Sequence, residues 1–251
     1  MPITRKRAIG GLVAAALLVI VGAIVVYEVF IKSDAPPPLT INSVATTTSA
    51  GSPIATVGSA GATTTVTHVA NASLNDLAGT WTITNASQVG YRVTEDLIGG
   101  LANNVAVGRT NAVTGTVTVA GTTATAVDAT ADLKKLTSDS SRRDGQVQTR
   151  ILNTAQFPTA TFKLSGPMDF GAVPAVGAEK KVTATGDLTV HGVTKHITFD
   201  VTYSVISATE IRMLGSVPMV WADYQVPSPT FAGVADVRDN GQMEFLVVAT
   251  R

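Results

Sequence analysis

Between positions 182 and 205 the sequence alternates apolar and polar residues on both sides of a short turn. Successive side chains of a β-strand point to opposite faces, so a period of two predicts two antiparallel strands, each buried on one face. The turn, at 191–194, contains Gly192, which adopts a positive φ at little cost. The predicted β-hairpin has one apolar face, formed by Val182, Ala184, Gly186, Leu188, Val190, Ile197, Phe199, Val201, Tyr203 and Val205.

The same alternation predicts further strands along the chain, for a total of eight or nine. They fall at 81–83, 89–93, 113–119, 123–131, 160–164, 211–219 and 243–249. Turn-rich stretches at 120–122 and 239–241 separate some of them, and this spacing favours an all-β sandwich or barrel over a βαβ fold. The segment 139–152 has no period of two and begins with residues typical of a helix N-cap, which predicts a short helix and loop crossing between strands.

Five short segments occur in an informative order along the sequence. WTI (81–83) precedes SQVGYRV (87–93), the pair RD (143–144) precedes FPTATF (157–162), and the hairpin contains GDLTVHGVTKHITFD (186–200). Together they resemble the YceI-like family of bacterial extracytoplasmic lipid-binding barrels. The resemblance implies an isoprenoid or quinone lipid as the ligand. The chain departs from the family pattern at Glu95, where a histidine is usual, and at Trp221, where an arginine is common, so the family's polar contacts there are not carried over.

An antiparallel, up-and-down, lipocalin-like barrel of about eight strands is wide enough to hold one slender ligand. An aliphatic and aromatic inner wall suits an apolar chain, and each methylene removed from water contributes roughly 0.8 kcal/mol. Alternatively, the same residues fill a closed core, and the barrel is a protein-interaction or stress-response module at the cell surface. We predict ligand contacts at Tyr91, Phe162, Leu188, Val190, Phe199, Val201, Tyr203, Met213 and Phe245.

The N-terminus predicts one transmembrane helix at 8–31. A basic triplet, Arg5-Lys6-Arg7, precedes about twenty residues without a charge, which at 1.5 Å per residue span a bilayer core of about 30 Å. A cleaved signal peptide is the competing interpretation, but its apolar core is shorter and ends in a small-residue cleavage site. The positive-inside rule places residues 1–7 in the cytoplasm and the remainder in the periplasm or cell-wall space.

Residues 32–76 are dominated by Thr, Ala, Ser, Gly and Pro, which predicts a disordered linker. On random-coil scaling it would hold a barrel domain at 77–251 about 35 Å from the membrane. The formal net charge is +0, so we do not expect a nucleic-acid partner. The sequence leaves open whether the domain associates as a homodimer.

Few residues suggest chemistry, and we expect neither catalysis nor a cofactor. His191 and His196 lie five positions apart, but a zinc site needs further ligands, so we expect turn-exposed histidines and no metal. Arg142 and Arg143 are candidates for binding a lipid headgroup, since a guanidinium matches phosphate oxygens, although loop charges usually pair with each other. A lipid hydrolase or isomerase would require a polar cluster at the barrel mouth; its candidates are Glu95, Asp187 and Asp200.

Overall fold

A computed structural model describes residues 35–43, 77–97, 102–228, 230–231 and 235–251. The predicted cytoplasmic segment, the predicted anchor and residues 44–76 of the predicted linker lie outside these ranges. Within them, no helix combines the length and the apolar character that a membrane crossing requires.

The described residues form twelve β-strands in one antiparallel sheet. They are β1 (Gly79–Ile83), β2 (Gln88–Leu97), β3 (Ala102–Thr110), β4 (Val113–Ala120), β5 (Thr123–Asp132), β6 (Thr159–Leu164), β7 (Met168–Asp169), β8 (Glu179–Val190), β9 (Val193–Ser207), β10 (Glu210–Val220), β11 (Thr230–Phe231) and β12 (Ala235–Thr250). Four short helices complete the fold: a 3₁₀ turn (Leu133–Lys135), α1 (Ser141–Gln146), a π-helical turn (Val147–Ile151) and a 3₁₀ turn (Trp221–Tyr224).

Eight strands close into a barrel in the order β1-β4-β5-β6-β8-β9-β10-β12, and β12 pairs back onto β1. In the closing pair Ile83 lies opposite Ala249. β2 continues β1 along the chain, and β3 leads into β4. The β2–β3 pair, in which Val89 lies opposite Thr110, and the β1–β4 pair, in which Thr82 lies opposite Thr116, together form one long bent hairpin. Counting each prolonged strand once, consecutive strands are neighbours, which confirms the predicted antiparallel barrel.

The predicted hairpin is confirmed as β8 and β9. Its loop has two residues, His191 and Gly192, with φ of 52° and 76°, as in the type I′ turns that suit the twist of a hairpin. Alternate residues of β8 from Ala184 to Val190 are buried. On the outer face polar residues pair across the strands: Thr183–Asp200, Thr185–Thr198, His196–Asp187 and Thr189–Thr194.

Two features differ from the sequence prediction, and a third agrees with it. β3 was not predicted, because its inward positions carry small or polar residues such as Asn104, Ala106 and Gly108, which give no apolar alternation. The stretch 239–241 is not a turn; it lies inside β12, where the register with β2 shifts between Val237 and Gly241. The predicted helix and loop are observed as α1 and the π-helical turn, with Ser140 accepting a hydrogen bond from the Arg143 amide as N-cap.

The prediction of a disordered linker is wrong for residues 35–43, which we name the strap. The strap lies on the outer wall of the barrel, where Leu39 and Ile41 are buried against Leu246 and Val248 of β12. The side chains that receive it come from β2, β3, β10 and β12, far along the sequence, so the composition of the segment alone gave no sign of the contact.

Candidate functional site

The barrel interior contains a cavity of about 90 Å³, several times the roughly 10–15 Å³ that one water molecule requires. Thr130 and Thr161 are the lining residues with a polar side-chain atom. The other lining residues are Val89, Val113, Val127, Ala129, Ala131, Ala160, Phe162, Leu164, Met168, Ala184, Leu188, Phe199, Val201, Met213, Met243, Phe245 and Val247. Such a wall offers dispersion contacts and no charge, so an apolar ligand suits it.

Three phenylalanine rings line the cavity in sequence. Phe162 and Phe199 meet edge to face with their centroids 5.3 Å apart, and Phe199 and Phe245 do so at 5.7 Å. Two glycines provide space for the outer rings: a Cβ on Gly186 would lie 2.5 Å from Cζ of Phe162, and a Cβ on Gly215 would lie closer still to Cζ of Phe245. The backbone positions opposite the rings therefore decide how far each ring projects into the cavity.

Three methionines, Met168, Met213 and Met243, contribute to the same wall. Their unbranched side chains have several rotatable bonds and fill irregular space readily. The volume of the cavity is therefore adjustable by side-chain rotation without movement of the strands.

The cavity lies between two hydrophobic clusters at the ends of the barrel. At the end where α1 and the β8–β9 loop lie, which we name the α1 end, the cluster includes Leu133, Leu136, Val190 and Tyr224. At the opposite end, near the β9–β10 turn, it includes Leu77, Trp81, Phe170, Tyr203 and Val205.

The barrel wall divides at the α1 end. β9 pairs with β10 from Val201 to Ser207, while residues 193–200 of β9 pair with β8 and residues 216–220 of β10 pair with β12. The 3₁₀ turn Trp221–Tyr224 contacts β9, β10 and β12 beside this division. The indole of Trp221 donates to the Arg238 carbonyl at 3.0 Å. This division is the place where the wall holds together by side-chain packing rather than by backbone hydrogen bonds.

A polar cluster lies on the inner side of β2 and β3, close to α1. Arg143 pairs with Asp139 and, at 3.7 Å, with Glu95, and Glu95 also accepts from the Asn104 amide at 2.9 Å. Burial raises the pKa of Tyr91 well above its ordinary value of 10.0, with Arg143 opposing the shift and nearby carboxylates adding to it. The cluster joins α1 to the prolonged hairpin through buried and half-buried polar contacts.

Six of the nine predicted ligand contacts line the cavity: Phe162, Leu188, Phe199, Val201, Met213 and Phe245. The other three lie elsewhere. Tyr91 packs over Gly108 beside the polar cluster, Val190 belongs to the α1-end cluster, and the Tyr203 hydroxyl donates to the Phe170 carbonyl at 2.7 Å at the opposite end. Alternation identified the inward face in each case, but it does not give the height of a residue along the barrel.

Residues that the sequence analysis did not select form much of the cavity wall. They include Val113, Val127, Ala129, Ala184, Met243 and Val247. The signal was available, because each lies on the inward parity of a strand that was predicted. Small residues such as Ala129 and Ala184 are nevertheless hard to select, since they contribute by leaving space rather than by filling it.

The candidate headgroup arginines differ in their surroundings. The guanidinium of Arg143 is engaged by Asp139 and Glu95, which gives it a structural role, whereas Arg142 is exposed on α1. Arg143 is therefore occupied by protein carboxylates, and Arg142 is the arginine of this pair that is open to a ligand from solvent.

The histidines and outer carboxylates do not form a reactive cluster. His196 is exposed and contacts Asp187 at 2.8 Å on the outer face, and Asp200 faces outward beside Thr183. His191 is half-buried and packs on Phe157 with ring centroids 4.3 Å apart, so the expectation of turn exposure is wrong for this residue. In the described part of the chain, no three His, Asp or Glu residues come together as metal ligands do.

The family model for the YceI-like domain matches residues 56–249. The chain belongs to the YceI-like family. This match confirms the resemblance and begins about twenty residues before the predicted domain boundary at 77, in a part of the chain outside the described residues. None of the curated proteins matches.

Two solved structures share the YceI-like fold. One is a polyisoprenoid-binding domain from Saccharophagus degradans implicated in plant cell wall breakdown: identity is 17%, the TM-score is 0.53, and the match covers 69% of this chain and 98% of that one. The other is BcnA from Burkholderia cenocepacia, with 21% identity, a TM-score of 0.51 and coverage of 67% and 99%. At this identity the likeness concerns the fold.

Proposed function

We propose that this YceI-like protein sequesters or carries an isoprenoid-type lipid, a polyprenyl chain or a quinone, inside its barrel, without making or breaking a covalent bond. The observation that carries the proposal is the apolar cavity, which is lined by residues from seven strands of the barrel and from β2 and β7. The family, and the polyisoprenoid-binding domain of the same fold, support this choice of ligand.

The cavity has an energetic cost that a ligand would offset. At about 24 cal/mol per Å³, a void of about 90 Å³ lowers stability by on the order of 2 kcal/mol relative to a filled core. Each methylene that enters contributes roughly 0.8 kcal/mol. The present volume accommodates a short stretch of apolar chain, so a long tail requires the methionines and phenylalanines of the wall to adopt other rotamers.

The lipid would enter at the α1 end, with its tail in the cavity and its headgroup outside. The divided wall between β9 and β10 supports this direction, because side chains move apart more readily than hydrogen-bonded strands. The exposed Arg142 on α1 provides a cation for a phosphate headgroup.

The proposed attachment of the protein to a membrane rests on the sequence of its N-terminal segment. The predicted transmembrane helix at 8–31 would anchor the protein with residues 1–7 in the cytoplasm and the barrel in the periplasm or cell-wall space. A barrel outside the cytoplasm would receive its lipid from the outer side of the same bilayer.

A filled barrel that binds another protein through its rim is the second candidate. The modest volume of the cavity is the observation that favours it, because a few rotamer changes would close the space. Under this alternative the purified protein carries no lipid, and enlarging or filling the cavity leaves its function unchanged.

The experiment is extraction and mass spectrometry of lipids that copurify with the full chain and with two leucine variants. Ala184→Leu fills the cavity, whereas Ala178→Leu adds the same side chain at an exposed turn. We expect an isoprenoid lipid with the wild type and Ala178→Leu, and its loss with Ala184→Leu. An equal lipid content in all three samples, or no isoprenoid in any of them, would refute the proposal.

A further inference from the structure

The strap is held by side chains that donate to its backbone carbonyls. Arg92 donates to the Pro36 carbonyl and Arg109 to the Pro37 carbonyl, each at 2.7 Å. Arg212 donates to the Ile41 carbonyl at 3.1 Å, and Gln88 donates to the Ser43 carbonyl. Three consecutive prolines suit this arrangement, because they fix an extended conformation before binding and leave their carbonyls free.

The outer wall carries a matching surface for the strap. Leu246 and Val248 point outward from β12 yet are almost fully buried, in a cluster with Leu39 and Ile41. Beside them Glu244 is 4% exposed and accepts from both Arg92 and Arg109. Outward apolar side chains in an otherwise polar barrel surface require a cover, and the strap supplies it.

The strap has a defined direction along the barrel. The first two prolines of the strap accept from the arginines that bind Glu244, near the middle of β12. Ile41 accepts from Arg212, which lies opposite Val248, nearer the C-terminal end of β12. The strap therefore runs parallel to β12, and β12 runs from the α1 end to the opposite end. Its N-terminal residue accordingly points towards the α1 end.

The position of the strap in the chain fixes its distance from the predicted anchor. Between the end of that segment at residue 31 and Ala35 lie three residues, 32–34, which reach about 10 Å when fully extended. The flexible tether of about 35 Å expected from the sequence therefore does not separate the barrel from the membrane, because the strap fixes the chain to the barrel before most of the predicted linker begins.

We propose that the strap clamps the barrel close to the membrane with the α1 end facing the lipid surface. This inference rests on the membrane attachment in the proposed function and extends it to an orientation. The division between β9 and β10 lies at the same end, so the clamp would present the entry route to the bilayer that supplies the lipid.

Depth-dependent quenching in proteoliposomes tests the orientation. The sequence contains no cysteine, so a single fluorophore can be attached to the full chain at Ser141→Cys on α1 or at Ala208→Cys in the β9–β10 turn; both positions are exposed. With nitroxide-labelled lipids in the vesicles, we expect loss of most of the emission at 141 and little loss at 208.

The double variant Leu39→Ser with Ile41→Ser removes the apolar contacts of the strap and should make quenching similar at the two positions. Val176→Ser, at a side chain that is 49% exposed, is the control and should preserve the contrast. If the double variant does not fold, Gln88→Ala with Arg212→Gln removes two carbonyl donors instead, with the same expectation.

Equal quenching in the wild type, or a contrast that persists without the strap contacts, would overturn the proposal. Failure of the full chain to float with vesicles would overturn it together with the membrane attachment. The lipid content of the leucine variants is measured separately, so loss of orientation with retained lipid would leave the carrier function standing.

Discussion

Gly215 of β10 lies directly opposite Phe245 of β12, whose ring lines the cavity. A Cβ on Gly215 would lie 2.7 Å from Cε1 of Phe245, closer to Cζ, and 3.1 Å from the Asp200 carbonyl oxygen. The missing side chain therefore sets the position of the ring.

Gly215→Ala should displace the Phe245 ring towards Phe199 and into the cavity. We expect less copurifying lipid and a decrease in the free energy of unfolding of about 1–3 kcal/mol, typical of overpacking. Lipid extraction and urea unfolding measure the two effects. Gly166→Ala is the control, because a Cβ there meets nothing within 4 Å; wild-type behaviour of Gly215→Ala would contradict the assigned role.

Glu244→Gln should destabilise the protein by about 3 kcal/mol, because Arg92 and Arg109 would lose a buried charged partner. It should also loosen the strap, which hydrogen exchange at Leu39 and Ile41 would detect. The matched control is Asp128→Asn, whose pair with Lys163 is exposed and contributes about 0–1 kcal/mol. Equal effects of the two substitutions would refute the importance of the buried pair.

Tyr203→Phe should lower the free energy of unfolding by about 1–3 kcal/mol, because it leaves the Phe170 carbonyl without its buried donor. The aromatic contact with Phe170, at 4.7 Å between centroids, is retained. Tyr224→Phe is the control, since we find no hydrogen bond of its hydroxyl among the described residues. Urea unfolding compares the variants, and a loss no greater than that of the control would argue against the bond.

Alkaline pH should destabilise the fold, because burial raises the pKa of Tyr91, Tyr203 and Tyr224 above 10.0. Below that pH all three are protonated in both states. Above it, the unfolded chain releases protons that the native protein retains, so the free energy of unfolding falls as the pH rises. Urea unfolding on both sides of pH 10.0 measures this slope, and an unchanged slope in Tyr203→Phe would exclude that residue's contribution.

The sequence predicted the barrel because its strands are buried on one face. In β8, Ala184, Gly186, Leu188 and Val190 are buried and the residues that alternate with them are not, which is the pattern that period-two alternation describes. β3 escaped notice because Asn104, Ala106 and Gly108 give its inner face no apolar signal. Strand prediction therefore succeeded where burial involves large apolar side chains.

The cavity could be predicted only in part. Phe199 and Tyr203 have the same parity on β9, yet the first lines the cavity and the second fills the end of the barrel. Which of the two roles a residue takes depends on its height, which follows from strand register and not from local sequence. The strap was missed for a similar reason, since its partners Arg92, Arg212 and Leu246 lie far along the chain from Leu39.

The closing pair of the barrel has a consequence for how the chain folds. β1 and β12 pair, and beside them Thr84 donates to the Val248 carbonyl, at a sequence separation of 164 residues. The ring cannot close until the last strand has been synthesised, and bringing such distant segments together is entropically slow. We therefore expect folding to follow synthesis, with the inner face exposed to chaperones or to aggregation until β12 arrives.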